Sequence, residues 1–324
     1  MSDVAARALA DVERGLADLD LPAEPASLYD PVRYALASGG KRVRPVTLLL
    51  AAEAFGGAAA RVRALPAALA VETFHNFTLV HDDIMDRAAT RRGRPTVHAA
   101  FGEAEAILAG DLMHGLSARL VHETQTDRGS EARALFDRMV VRLCEGQALD
   151  LAFETRADVS VDDYLAMIDG KTGALLEVAL ELGALVGGAE PDACAAMRRA
   201  GHALGRAFQI QDDLLDLTAD APGWGKTIAG DLVAGKRTFL LLHALERTAG
   251  TPDHAFWTRA LGGLDPADVP RARAEMERAG VLAHAAQAVE RCVADGLGAL
   301  GVLPPGPAAD ALRGLALALA GRAV

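Results

Sequence analysis

From Leu79 to Gly93 the chain reads LVHDDIMDRAATRRG, which gathers Asp82, Asp83 and Asp86 with Arg87, Arg91 and Arg92 at the end of an apolar stretch. Residues four apart lie on one face of a helix, so Asp82 and Asp86 project together while Asp83 sits about 100° round. Acids at a helix C-terminus repel one another and the negative end of the helix dipole. The same arrangement recurs as QDDLLD at 211–216, where Asp212 and Asp216 pair on one face and Asp213 is turned aside. One such motif reads equally well as a solvated helix end. Two matched copies ask for a compensating cation, and magnesium suits them: it is hard, takes oxygen ligands, and is commonly held by a few carboxylates plus substrate phosphates. Two such helices facing each other would bind a diphosphate through bridging metal.

The cations offer a second, metal-free anion site. SGGKRVRP places Lys41 and Arg44 after a glycine pair and before a helix start, where backbone N–H groups and cationic side chains favour phosphate. Surface clusters of this kind are also common without function. Arg91 and Arg92 before Gly93 read the same way, as do Lys171 and Thr172 in GKTG, which interrupts an apolar region. His75, two helical turns before Asp82, would ordinarily be structural.

These residues need helices to position them, and the composition supplies them. Alanine and leucine abound, aromatics make up only 4% of the 324 residues, and 51% are hydrophobic, which favours an all-α fold with a large core. A net charge of −11 argues against nucleic acid as a partner. Cys144, Cys194 and Cys292 are scattered and form no CxxC, which fits a reducing cytoplasm. The N-terminal residues lack the apolar run of a signal peptide. The most apolar long window, 172–189, contains Glu177 and Glu181 and reads as a buried bundle helix, so no membrane span is expected.

Periodicity and breakers predict helices over 2–19, from Asp30-Pro31 to the glycines at 39–40, and from Pro45 to the glycine pair at 56–57. Further helices are predicted over LPAALAVETFHNFTLVHDD, 103–123, 130–153, 161–187 and 191–216, with four more towards the C-terminus. RAATRRGRPTVHAAFG and TADAPGWGKTIAGD read as loops. No low-complexity linker divides the chain, so residues 1–324 are expected to form a single domain, with short connections as in an antiparallel bundle.

Taken together, GGKRVRP, HNFTLVHDDIMDRAATRRGRPTVH, AILAGD, EGQALDL, GKTGAL, AFQIQDDLLD and GKTIAGDLVAGKRT resemble the trans-isoprenyl diphosphate synthases, the polyprenyl synthetase family, of short-chain type. The resemblance implies an all-α antiparallel helix bundle around a deep central cavity, the isoprenoid synthase fold, in a cytoplasmic homodimer. It implies that Lys41, Arg44, His75 and Arg92 bind isopentenyl diphosphate. Asp82, Asp86, Asp212 and Asp216 would hold magnesium, three ions per site. Arg91, Lys171, Thr172, Gln209 and Lys226, with Lys236 as a further contact, would meet the allylic diphosphate. Asp82, Asp86, Lys171, Asp212 and Lys226 would thus carry the chemistry. Two departures stand out: LALALAGRAV lacks a strongly basic tail, and Phe239 follows Thr238 where the family often has proline, which leaves the local helix start open.

The reaction implied is ionisation of an allylic diphosphate, attack by the isopentenyl double bond, and loss of a proton, giving a short-chain all-trans prenyl diphosphate. Phe77, five residues before Asp82 and next to Thr78, marks the place where bulk sets product length in this family, with Phe74 as a second contributor. Helix geometry puts Phe77 roughly 7–8 Å along the axis from Asp82 but about 140° round, so both phenylalanines read equally as core. The pattern points to a geranylgeranyl product, with farnesyl diphosphate as the alternative. A class I terpene cyclase would be expected to replace the second aspartate motif and to lack the GGKRVRP pocket. A non-catalytic regulatory subunit would be expected to lose the aspartates.

Overall fold

The computed structural model describes residues 2–219 and 229–320. The described chain is almost entirely helical, as composition predicts, and its strands are confined to one two-residue hairpin. The described residues group into two compact units. The first comprises residues 1–138, 178–198 and 302–315, and the second residues 139–177, 199–301 and 316–324.

In the first unit, α1 (Asp3–Ala17) is capped by Ser2, whose hydroxyl accepts the Ala5 N–H at 3.4 Å. Helix α2 (Ala26–Leu36) begins before the Asp-Pro pair rather than at it, so Pro31 lies inside the helix. Proline there forfeits one backbone hydrogen bond, and burial of Val32, Ala35 and Leu36 offsets the loss. Helix α3 (Val43–Arg63) starts two residues before Pro45 and is broken at the glycine pair, where the sequence places a stop. Gly57 takes φ 69° and ψ −171°, which kinks the chain, and a second helical stretch follows. Among the described residues this is the one helix long and apolar enough by length and composition to cross a membrane, and half of the apolar window is buried inside the protein.

Helix α4 (Leu65–Met85) runs through the first aspartate motif. The segment after it is not all loop: β1 (Thr90–Arg91) and β2 (Arg94–Pro95) pair antiparallel, and α5 (Val97–Phe101) follows. Arg92 and Gly93 both have positive φ, 53° and 73°, the conformation a two-residue hairpin turn requires. Helix α6 (Glu103–Glu123) packs closely on α4. A Cβ on Gly110 would lie 2.1 Å from His81 Nε2, so a larger residue there would have to displace the imidazole. The core of this unit is built on Phe74, Leu48, Leu49, Leu50, Met113 and Phe136, all essentially without exposure.

Helix α7 (Gly129–Phe153) agrees with its predicted span to one residue. The helix predicted over 161–187 is instead three pieces: α8 (Val161–Ile168), a π-helical turn (Asp169–Gly173) and α9 (Ala174–Val186). Ser160 and Asp163 form a capping box at the start of α8. Helix α10 (Pro191–Thr218) carries the second aspartate motif near its end. Beyond it the described residues form six α-helices rather than the four predicted: α11 (Gly230–Val233), α12 (Phe239–Thr248), α13 (His254–Ala260), α14 (Val269–Arg278), α15 (Val281–Ala299) and α16 (Pro307–Ala320). Short helices such as α11 and α13 span too few turns to leave a readable period. Phe153, Tyr164, Ile210, Phe239, Trp257 and Met276 belong to the core of the second unit. Glu177 and Glu181 on α9 are buried, as the sequence suggested, and each meets an arginine, Arg142 and Arg198 respectively.

Candidate active site

In the first unit, three segments bring the predicted cations towards α4. Arg42, left unassigned by sequence, caps α3 in a left-handed conformation (φ 46°) and turns its side chain inward. Its guanidinium donates to Glu72 Oε1 at 2.6 Å and to the Leu36 carbonyl at 2.9 Å. Asn76 donates to the Glu72 carbonyl at 2.8 Å and to Glu72 Oε1 at 3.3 Å. Arg42 and Glu72 thus neutralise each other in the interior, while Lys41 remains exposed. Arg44 approaches His75 Nε2 at 3.4 Å. Burial, then the charges of Arg44, Arg92, Arg91 and Arg42, hold His75 well below the ordinary histidine range. It is therefore neutral at pH 7 and can accept from Arg44. Arg92 reaches across from the hairpin and donates to the Gly39 carbonyl. A Cβ on Gly40 would lie 2.9 Å from Arg92 Nη1, so the glycine pair leaves room for that arginine. Lys41, Arg44, His75 and Arg92 therefore belong to one neighbourhood.

The aspartates divide as their angular spacing predicts. Asp82 is partly exposed and Asp86 exposed, whereas Asp83 is buried and accepts from Arg91 Nε and Nη2, both at 2.8 Å. Burial pushes the Asp83 carboxyl up, and Arg91 opposes the shift. Arg91, predicted to meet a diphosphate, is thus engaged by the middle aspartate of its own motif. Phe77 is partly exposed and stacks on His114, with ring centroids 5.6 Å apart. Phe74 is fully buried among Phe77, His114 and Phe136, a core position.

The second unit repeats the division. Asp212 is partly exposed, and Asp213 is buried. Asp213 accepts from Tyr164 O–H at 2.6 Å, from the Phe239 N–H at 2.9 Å and from Gln209 Nε2 at 3.2 Å. Burial lifts its carboxyl to about 7 against the pull of those donors. Phe239 stands where the family often has proline. Its N–H, which a proline would lack, is one of the donors that satisfy Asp213, and Thr238 caps α12 directly before it. Asp216 differs from its counterpart Asp86: it is buried and accepts the Asp231 N–H at 3.1 Å.

Lys171 and Thr172 lie on the π turn. Lys171 pairs with Asp150, and Thr172 donates to Gln209 Oε1 at 3.0 Å. Asp213, an acceptor, orients the Gln209 amide so that its oxygen faces Thr172. Lys236 is exposed, 3.6 Å from Asp231. Lys226 lies outside the described residues. Sequence reasoning passed over Glu72, Asp150, Tyr164 and Asp231. Glu72 and Tyr164 had only a place within helical periodicity to mark them, and Asp150 and Asp231 only their places in quoted motifs.

Among the described residues no three His, Cys, Asp or Glu side chains converge as a metal site by themselves. Magnesium of the kind expected takes one or two carboxylates per ion and completes its shell with phosphate and water. Asp82 and Asp86, one turn apart at a helix end, are hard oxygen donors of that kind, as is Asp212 on α10.

The sequence matches the family described as polyprenyl synthetase over residues 25–274. The chain belongs to that family. It is 44% identical over 225 residues to the geranylgeranyl diphosphate synthase of Methanosarcina mazei, covering 69% of each chain. It is 37% identical over 311 residues to the geranylfarnesyl diphosphate synthase of Natronomonas pharaonis, covering 90% of this chain and 89% of that one. Among solved structures, geranylgeranyl pyrophosphate synthetase from Pyrococcus horikoshii superposes with a TM-score of 0.92 at 35% identity, covering 99% of this chain and 98% of that one. The all-α isoprenoid synthase fold of this polyprenyl synthetase is the one implied by its motifs.

Proposed function

We propose that this protein is a trans-prenyltransferase that joins isopentenyl diphosphate to an allylic prenyl diphosphate and yields a short-chain product, geranylgeranyl diphosphate. The observation that carries the reading is the cluster of Lys41, Arg44 and Arg92 around a neutral His75, near the end of the helix that bears Asp82 and Asp86. Such a cluster fits the diphosphate of isopentenyl diphosphate. Lys171, Thr172 and Gln209 supply donors suited to the allylic diphosphate, with Arg91, Lys226 and Lys236 as further cations of the same reading. Magnesium held by Asp82, Asp86, Asp212 and Asp216 would neutralise the diphosphate charge and ease its departure.

The cations stabilise charge that grows on the diphosphate as the allylic C–O bond breaks and its electron pair leaves with the phosphate. The apolar side chains behind the aspartates keep water from the carbocation. The isopentenyl double bond then attacks that carbon, and the departing diphosphate accepts the proton that is lost. No side chain is required as a strong base. The reading takes both compact units as one catalytic domain in a cytoplasmic homodimer. Three free cysteines fit a reducing compartment, and exposed Ile107 and Leu108 on α6 fit a contact with a second copy.

The purified chain with magnesium, isopentenyl diphosphate and dimethylallyl diphosphate is expected to release geranylgeraniol after dephosphorylation and chromatography. A hydrocarbon product would identify a cyclase. Absence of turnover with stimulation of a second synthase would identify a regulatory subunit. Farnesol as the end product would select the shorter alternative. Phe77 is partly exposed, whereas Phe74, which it packs against, is fully buried. Phe77→Ala is therefore expected to lengthen the product by at least one isoprene unit, and an unchanged distribution in the active variant would place the length stop elsewhere.

A further inference from the structure

The π turn at Asp169–Gly173 is the one place among the described helices where bonding slips to i→i+5. Such turns are rare, and the surrounding structure must hold them against relaxation to α-helix. Two ion pairs bracket this one. Asp169, its first residue, accepts both Nε and Nη2 of Arg206 at 2.6 Å, a two-point contact from α10. Glu177, one helical turn past its last residue, accepts both terminal nitrogens of Arg142 from α7. Arg142 also donates to the Asp169 carbonyl at 3.3 Å, and His202 Nδ1 lies 3.0 Å from Glu177 and 3.7 Å from Asp169.

The backbones on either side come unusually close. A Cβ on Gly146 would lie 2.2 Å from the Lys171 nitrogen, and one on Gly205 would lie 2.8 Å from the Gly173 Cα. The pairs are thus set across contacts with no slack, and Lys171 and Thr172 fall between them. Hydrogen bonds to Asp169 raise the Arg206 guanidinium above its ordinary range. Burial pushes Glu177 up, but the bonds from His202 and Arg142 outweigh it and leave its carboxyl low. Arg206 is therefore a cation and Glu177 an anion at neutral pH.

We propose that Asp169–Arg206 and Glu177–Arg142 are positioning pairs for the allylic substrate, holding the π turn so that Lys171 and Thr172 meet the allylic diphosphate. This rests on the function proposed above. Neither pair touches the reacting atoms. Their effect passes through Lys171 and Thr172, because a two-point carboxylate–guanidinium contact fixes orientation as well as distance. Loss of one anchor lets the turn shift, and small misplacement of a binding group is costly.

The test is steady-state kinetics of the full chain with magnesium, dimethylallyl diphosphate and isopentenyl diphosphate. Arg206→Gln is expected to raise KM for dimethylallyl diphosphate about tenfold, with KM for isopentenyl diphosphate within about twofold of wild type. Arg206→Lys, which keeps the charge and one donor, should recover part of the loss. In a Lys171→Ala/Thr172→Ala background, Arg206→Gln should add little, because the residues it acts through are gone. Equal change in both KM values, no change in either, or full additivity in that background would overturn the proposal. If Arg206→Gln does not fold, Arg206→Lys is judged by the same split. Absence of turnover by wild type would instead remove the function on which the proposal rests.

Discussion

Asp82→Ala and Asp212→Ala are each expected to leave a folded protein whose turnover at saturating magnesium falls about a hundredfold or more, the loss that follows removal of one well-placed electrostatic contact. Folding should survive because both residues sit on helices, both are only partly buried, and alanine is the strongest helix former. Asp83→Ala and Asp213→Ala should behave in the opposite way. These side chains are buried, and their removal leaves Arg91 or Tyr164 and Gln209 without their acceptor, so stability falls. Turnover and thermal unfolding measured on all four variants separate the two classes. Near wild-type turnover in both Asp82→Ala and Asp212→Ala would end the metal assignment.

The second large effect is on stability. Arg42→Met is expected to cost about 3–5 kcal/mol, because it strands the Glu72 carboxylate in the interior with only Asn76 to satisfy it. The two side chains are 7% and 4% exposed, so water offers little relief. Arg42→Met combined with Glu72→Met should recover most of the loss, since a matched apolar pair buries no charge. Urea unfolding of the two single variants and the double variant gives the comparison. A loss below about 1 kcal/mol for Arg42→Met would show that the pair behaves as a surface bridge. The result bears on function, because the same arginine sets the left-handed turn between Lys41 and Arg44.

Much of the fold could be read from residue types. Alanine–leucine periodicity located α4, α6 and α7 closely, since each is long enough to display several turns. It failed at the Asp-Pro start of α2, where a proline inside the helix was mistaken for its beginning. It failed again at the short helices after α10, which span too few turns. The hairpin at 90–95 was missed because Arg92 occupies a positive-φ position that residue type does not announce.

At the site, the sequence by itself determined which acids share a helix face, because a period of 3.6 residues is a property of the local backbone. It thereby separated Asp82 from Asp83 and Asp212 from Asp213. It also placed cations beside glycines that would allow close approach. Only the tertiary structure decided which of those charges are already engaged. Arg42 and Lys41 are adjacent and alike in charge, yet one is buried against Glu72, thirty positions away, and the other faces solvent. Asp86 and Asp216 hold the same place in their motifs, yet only Asp216 is buried and meets the backbone of residue 231. The interruption at GKTG was visible, but that it is a π turn gripped by Arg142 and Arg206 was not. Burial and partnership arise from groups distant in sequence. A charged side chain's energy depends on whether such a partner replaces the water it gives up, and no local pattern records that partner.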